Sequence, residues 1–282
     1  QRLPGRGQEW AVGEGIEPGM TRLDAGKPKN PNRKYIKLYG ERNTGSRYLN
    51  HLFELNLEAA ILEGTAPRWV ALLNSASPSG RNILDWYFAR TFARNLGWKH
   101  SRVQVERLLK LGDALANVHF VTLLKNPYSW LLSLAKRPYH RKPAVGNDDS
   151  DLESLLLTEW ATVGRDNGPP AYRDAIDLWN SKVRSYIERA ERLPTTFLTY
   201  EDLVADPAAA LKKIKADSAD EWSGSDFQDL QQSTKEKGKD SSFYRRYYGE
   251  ELWREQLTPR VTGLINERLD PALMALFGYR IL

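Results

Sequence analysis

The stretch from Lys34 to Phe53, Lys-Tyr-Ile-Lys-Leu-Tyr-Gly-Glu-Arg-Asn-Thr-Gly-Ser-Arg-Tyr-Leu-Asn-His-Leu-Phe, constrains this chain more than any other. Tyr35, Ile36, Leu38 and Tyr39 bring β-branched and aromatic bulk to a short buried strand, and Gly40 and Gly45 bracket a polar turn. Tyr48, Leu49, Leu52 and Phe53 then recur at helical spacing, with Thr44 or Ser46 placed to cap the first turn. A strand running through a tight turn into a helix N-terminus points unpaired backbone N–H groups at whatever lies above the strand, which is an anion cradle. That unit belongs to α/β folds.

Composition sets the frame around it. At 282 residues with 41% hydrophobic content the chain can bury a full core, and one large α/β domain is expected over residues 34–282. Residues 1–33 are rich in glycine and proline without periodicity and read as an irregular arm. No run approaches the ~18–20 apolar residues of a membrane span, and the N-terminus lacks a charged-then-apolar signal pattern, so a soluble domain is expected. Because the sequence lacks an initiator Met, a removed targeting or anchoring segment remains compatible with it, and the compartment stays open. The absence of cysteine excludes disulfides, thiolate metal sites and a cysteine nucleophile. The net charge of +5 favours anionic partners, but 36 acidic residues interspersed among 41 basic ones are less one-sided than in most nucleic-acid binders. A local basic pocket for a small polyanion accounts for the balance better, and no nucleic-acid partner is expected.

Further along, Trp69-Val-Ala-Leu-Leu is an apolar run compatible with strand or helix. Arg81 to Leu96 reads as one helix stopped by Gly97, followed by Trp98-Lys99-His100. Val118 to Leu124 is the clearest strand, apolar enough for burial in a parallel sheet. It runs into Lys125-Asn-Pro-Tyr-Ser-Trp-Leu-Leu-Ser133, where Pro127 is preset for a first helical turn. Eight residues separate Lys125 from Ser133, which sets a cation at a strand end and a hydroxyl on the next helix. Arg137 to His140 and Asn147 to Asp151 read as an exposed loop. Helices are expected over Leu152–Val163 and Tyr172–Arg192, the second with Ile176, Trp179, Val183, Tyr186 and Ile187 on one core face. Thr195 to Pro207 reads as strand, turn and helix start. Residues 217–242 are polar, with Lys235, Lys237 and Lys239 on either a solvated loop or a lid. Phe243 to Trp253 is aromatic and basic, and two short helices close the tail.

Gly40-x4-Gly45 comes near the nucleoside-triphosphate P-loop, but that motif requires Lys-Ser/Thr after the second glycine, where Ser46-Arg47 stands. A P-loop-type kinase is therefore the second reading, and a nonenzymatic polyanion or nucleic-acid binder the third. With Glu41-Arg-Asn-Thr-Gly45, Lys125-Asn-Pro followed by Ser133, and Tyr200-Glu-Asp-Leu before Asp206-Pro207, the chain resembles the sulfotransferases that use 3′-phosphoadenosine-5′-phosphosulfate (PAPS), in particular carbohydrate-type and bacterial ones. The resemblance spans roughly residues 34–207. It implies a P-loop-like α/β domain with a central parallel sheet flanked by helices and no required metal. It also implies in-line sulfuryl transfer from PAPS to an acceptor hydroxyl, on a glycan or a small molecule, leaving 3′-phosphoadenosine-5′-phosphate (PAP). An anchored relative of this kind would face the Golgi lumen, an unanchored one the cytoplasm.

The same resemblance distributes the roles. Arg42, Asn43, Thr44, Gly45, Ser46, Arg47 and Tyr48 would form the 5′-phosphosulfate loop, Tyr48 at a position often held by a Trp that stacks on adenine. Lys125 and Ser133 would hold the 3′-phosphate, with Lys replacing the usual Arg and losing its bidentate fork. Tyr200 would lie near the adenine. Trp98-Lys99-His100 falls where relatives place a second strand ending in a Lys and a His near the transferring group. His100 leads as general base, with Glu41 and His140 as rivals, while Lys99, Arg42 and Arg47 are the cations available. Many relatives carry a Lys where Asn43 stands, so one of those three cations must make the main sulfuryl contact.

Overall fold

The structure is a computed structural model, and it describes residues 33–77, 82–139, 152–218, 226–230 and 240–282. The expected irregular arm over residues 1–33 lies almost wholly outside them, as do His140, the Asn147–Asp151 loop and Lys235, Lys237 and Lys239.

In chain order the elements begin β1 (Tyr35–Tyr39), α1 (Ser46–Asn56), β2 (Ala60–Ile61), α2 (Arg68–Ser75), α3 (Ile83–Arg90), α4 (Phe92–Asn95), α5 (Val105–Leu109), β3 (Val118–Leu124) and α6 (Pro127–Lys136). They continue with α7 (Leu152–Leu157), β4 (Trp160–Ala161), β5 (Ala171–Tyr172), α8 (Ala175–Ala190), β6 (Thr195–Thr199), α9 (Tyr200–Ala205) and α10 (Pro207–Ser218). After these come α11 (Ser241–Gly249), α12 (Pro259–Asn266) and α13 (Pro271–Leu276). Four parallel strands form the central sheet in the order β2-β1-β3-β6, helices flank it, and β4 and β5 make a separate antiparallel pair.

Every residue of β1 and β3 is buried, as a strand covered on both faces requires. Alternate residues supply opposite layers: Tyr35, Tyr39, Phe120 and Leu124 join the core under α6 and α8, while Ile36, Leu38, Val121 and Leu123 join the one under α1 and α10. The chain leaves β1 toward β2 on one side and returns to β3 on the other. The crevice between the carboxyl ends of β1 and β3 is therefore the topological switch point, where open α/β sheets bind ligands. Register lines up the exits, because Tyr39 pairs with Thr122 and Leu124 pairs with Thr199. The Gly40–Gly45 turn, Lys125 and Tyr200 consequently emerge side by side.

Several local expectations change. Trp69 to Leu73 is helical, within α2. The single helix expected from Arg81 is two, α3 and α4, parted at Thr91; Arg81 itself lies outside the described residues. Leu96 and Gly97 then adopt the left-handed conformation that closes α4. Trp98-Lys99-His100 is a turn instead of a strand, because its backbone bonds singly to neighbours on either side: Lys99 N–H donates to Gly64 O at 2.9 Å, and Gly40 N–H donates to Lys99 O at 2.9 Å. The helix expected over Leu152–Val163 stops at Leu157, and Trp160 enters β4. Tyr172 belongs to β5, so α8 starts at Ala175, capped by the Asp174 carboxylate, which accepts from the N–H groups of Ile176 and Asp177. No helix among the described residues is long and apolar enough to cross a membrane.

Candidate active site

The turn after β1 is shaped by two left-handed residues, Asn43 at φ 67° and Gly45 at φ 87°. Gly45 is itself the N-cap of α1 and no side chain caps that helix, so Thr44 and Ser46 do not have the capping role expected of them. The Thr44 hydroxyl instead donates back to Glu41 O at 2.7 Å, closing the turn on itself. The first-turn N–H groups of an eleven-residue helix are thus left without a side-chain acceptor, as an anion cradle needs. Only glycine fits at position 45, since a Cβ there would stand 2.4 Å from the Tyr200 ring.

Lys125 leaves the end of β3 and is buried, with 2% of its surface exposed. Its ammonium donates to Ser133 Oγ at 2.7 Å and to Tyr248 Oη at 2.8 Å, and it lies 5.0 and 4.5 Å from the ring centres of Tyr200 and Tyr248. Lys125 and Ser133, expected to share one phosphate, stand within hydrogen-bond distance of each other. Tyr248, from the distant α11, completes the node. Tyr200 and Tyr248 meet edge to face at 4.8 Å, and burial raises both phenol pKa values, so both remain hydroxyls. Glu201 fixes the node from behind: its carboxylate accepts from Asn126 N–H at 3.1 Å and from the Tyr279 hydroxyl at 3.0 Å, while burial holds its pKa up.

These groups open onto a cavity of about 330 Å³ lined by Asn43, Gly45, Tyr48, Lys125, Ser133 and Tyr200 among others, with Tyr244, Arg245 and Tyr248 contributed by α11. The volume falls in the lower part of the range of small-molecule sites. Tyr48 stands in its wall and donates to Asp229 Oδ1 at 2.7 Å. The described part of the polar 217–242 segment docks on α1, where the Asn56 amide bonds reciprocally to the backbone N–H and C=O of Gln228 at 2.7 and 2.8 Å. Arg47 is solvent-exposed and does not line the cavity.

The remaining described sequence-predicted residues gather on the other side of the turn, outside the cavity lining, where Glu41 and Lys99 are buried while Arg42 and His100 are partly exposed. Glu41 pairs through Oε2 with Lys182 Nζ at 2.5 Å, and its Oε1 accepts from Arg42 N–H at 2.6 Å and from the Tyr139 hydroxyl. Lys182 also meets Asp166 Oδ1 at 3.3 Å and donates to His100 O at 2.7 Å. Burial opposes the Lys182 charge, but the two carboxylates outweigh it and its pKa lies above the ordinary lysine value. Arg42 stacks 4.5 Å over the Tyr139 ring.

His100 bonds through Nδ1 to Gly40 O at 2.6 Å. A carbonyl can only accept, so Nδ1 carries the proton and Nε2 keeps a lone pair. Burial first, then the charges of Lys99, Arg42 and Lys182, depress the imidazole pKa well below its ordinary value, against the pull of the Gly40 carbonyl. The turn that bears His100 is held by Lys37, whose buried ammonium donates to the carbonyls of Glu63, Asn95 and Gly97 at 3.1, 2.5 and 2.6 Å. No sequence pattern singles out a lysine in mid-strand for this work. Lys182 did leave a signal: it sits three residues after Trp179 and four before Tyr186, on the core face of α8, where an unpartnered charge is not tolerated.

Among solved structures, the crystal structure of a mouse sulfotransferase, SULT7A1, complexed with PAP is similar over 88% of this chain and 89% of its own, at 16% identity and a TM-score of 0.50. The fold is one that a sulfotransferase adopts. The sulfotransferase domain of the Synechococcus PCC 7002 olefin synthase (16% identity, 91% and 98% covered, TM-score 0.44) and a sulfotransferase from Alicyclobacillus acidocaldarius (14%, 88% and 97%, 0.43) are more distant in structure. No family model and no curated protein sequence matches the chain.

Proposed function

We propose that this chain is a PAPS-dependent sulfotransferase acting on an acceptor hydroxyl, with a glycan as the acceptor class implied by the Glu41-Arg-Asn-Thr-Gly45 form of its turn. The observation that carries the reading is the node of Lys125, Ser133 and Tyr248 set across one cavity from the uncapped N-terminus of α1. An ammonium and two hydroxyls converge at one place, and a helix N-terminus supplies N–H donors at another. That is a donor set for two separated phosphate groups on one ligand. The fold shared with a sulfotransferase supports it.

When bound, PAPS supplies an activated sulfuryl group: the acceptor oxygen forms a new S–O bond, and the S–O bond to the 5′-phosphate breaks with its electron pair left on PAP. The protein must take up one proton, neutralise charge around the sulfur and hold both phosphates. His100 takes the acceptor proton at Nε2, with Nδ1–H on Gly40 fixing the tautomer. Glu41 does not compete for that role, because its carboxylate is committed to Lys182, Tyr139 and its own turn. Lys99 and Arg42, whose charges help depress the His100 pKa, stand in for the Lys absent at Asn43. Arg47 is withdrawn from that role. Gly45 and the first turn of α1 hold the 5′-phosphate, Lys125, Ser133 and Tyr248 the 3′-phosphate, and Tyr48 and Tyr200 flank the base.

The test is ligand-induced stabilisation of the full chain. PAP without magnesium raises the melting temperature, because a ligand binding only the folded state contributes about 2.7 kcal/mol at a hundredfold excess over Kd. ATP with magnesium does much less. A preference for ATP-magnesium would transfer the site to phosphoryl chemistry.

A further inference from the structure

Outside the cavity lining, α2 and α3 form a hairpin with an unusual surface. Trp69, Leu72 and Leu73 on α2 and Trp86 on α3 are 54%, 61%, 51% and 65% exposed, and Val70 is the one buried residue of α2. Trp69, Leu72 and Leu73 fall three and four residues apart on one face of α2, with Trp86 exposed on the helix packed beside it, and large exposed apolar side chains gathered in this way mark an interaction site. The two helices are tied into a unit, since Leu84 N–H donates to Asn74 Oδ1 at 3.2 Å and Val70 packs with Tyr87, Phe88 and Trp98. We propose that this hairpin docks the protein on an anionic lipid bilayer, its tryptophans and leucines entering the headgroup boundary.

Charge selects that occupant. Arg68 lies four residues before Leu72 on one helix face, Arg90 four residues after Trp86 on another, and Arg94 one turn further on. All three are exposed and make no ion pair with the described residues. The carboxylates nearby are turned into the body of the protein. Asp85 accepts from the N–H groups of Gly164 and Arg165 and from the Arg165 guanidinium, at 2.8, 3.2 and 2.8 Å, and Glu63 accepts from the Tyr87 hydroxyl at 3.2 Å. Two exposed tryptophans, two leucines and a rim of uncompensated arginines are the makeup of an interfacial helix lying in the plane of a charged membrane. A second apolar protein surface would not call for the arginines. The hairpin shares its small core with Trp98, whose ring meets His100 at 5.2 Å, so docking holds the His100 side of the molecule toward the bilayer.

The experiment sediments the purified full chain with phosphatidylcholine vesicles, with and without about 30% phosphatidylserine. Binding is expected only with phosphatidylserine, and it falls as salt rises. Leu72→Glu/Leu73→Glu abolishes it while the melting temperature stays unchanged, because both side chains already face solvent. Arg68→Gln/Arg90→Gln/Arg94→Gln weakens it by about a hundredfold. Equal binding by the leucine double variant, or no sedimentation with anionic vesicles, overturns the proposal. Self-association of the wild type in light scattering, lost in the same double variant without any vesicle binding, overturns it in favour of a second copy of the chain.

Discussion

The two sides of the Gly40–Gly45 turn solve opposite problems. On one side the Lys125 ammonium meets the Ser133 and Tyr248 hydroxyls and the rings of Tyr200 and Tyr248, with the charge of Glu201 behind it, and it lines a cavity. On the other the Lys182 ammonium is locked between Glu41 and Asp166 with 1% of its side chain exposed, and it has nothing left to offer a ligand. Both are buried lysines. The chemistry of the partners separates a binding group from a framework group: hydroxyls share a cation with a phosphate, whereas carboxylates spend it. The turn joins the two, since Glu41 anchors its base on Lys182 while Gly45 presents its tip to the cavity. A rigid base under a ligand-facing tip is how a backbone cradle stays preorganised.

The sharpest way to break this comparison is to remove the framework cation. Lys182→Met leaves Glu41 and Asp166 buried without their counter-charge, and breaking a buried pair costs about 3–5 kcal/mol. Chemical denaturation should show a loss of that order. Where the variant still folds, the cavity side should keep PAP binding close to normal. A loss below about 1 kcal/mol, as for an exposed ion pair, would mean that the cluster is not a framework.

The reacting group between the regions gives the next effect. His100→Asn retains a side chain able to donate to Gly40 O but cannot accept the acceptor's proton, so turnover should fall by about 10²–10⁴-fold with PAP affinity near normal. The pH profile carries the sign. The native pKa of His100 lies below its ordinary value of 6.5, so between the two the unfolded chain binds more protons and stability falls as pH drops through that window. The imidazole stays neutral and basic there, which places the acid limb of kcat/KM below pH 6.5. An acid limb that persists unchanged in the Asn variant assigns proton uptake to another group.

How far such groups can be read from sequence depends on whether their geometry is local. The spacing from Lys125 to Ser133 follows from strand exit and helix pitch, so it was legible, as were β1, β3, α1 and the position of Tyr200 after β6. Tyr248 reaches Lys125 across 123 residues, and nothing near it in the chain names its partner. The strand expected at Trp98–His100 failed for a related reason: its backbone makes single bonds to Gly40 and Gly64, and Lys37 ties down the Asn95–Gly97 stretch leading into it, all set by tertiary packing. Glu41 looked like a free carboxylate because Lys182 and Asp166 come from the far side of the fold.

On the cavity side the effects are smaller and grade with charge. Lys125→Ala removes a charged partner and should weaken PAP by roughly ten- to a hundredfold, from about 1.5–3 kcal/mol for a hydrogen bond to a charged group, and Ser133→Ala by the lower part of that range. Acceptor KM should move little in either variant. Unchanged PAP affinity in folded Lys125→Ala would remove the 3′-phosphate from this node.

The finest probe of the contrast is Tyr248→Phe. It deletes one hydroxyl and leaves the ring beside Tyr200 in place, so the aromatic wall and the 4.5 Å approach of the Lys125 ammonium survive. If that hydroxyl only props Lys125, its loss costs the folded protein one hydrogen bond, about 0.5–1.5 kcal/mol, and PAP shifts the melting temperature as before. If it is shared with the phosphate, as the convergence of donors at Lys125 indicates, PAP affinity drops roughly two- to tenfold. The double variant with Ser133→Ala then loses less than the sum, because two hydroxyls on one ammonium act as a unit. Additive losses would separate the two hydroxyls and reduce the node to a lysine with independent neighbours.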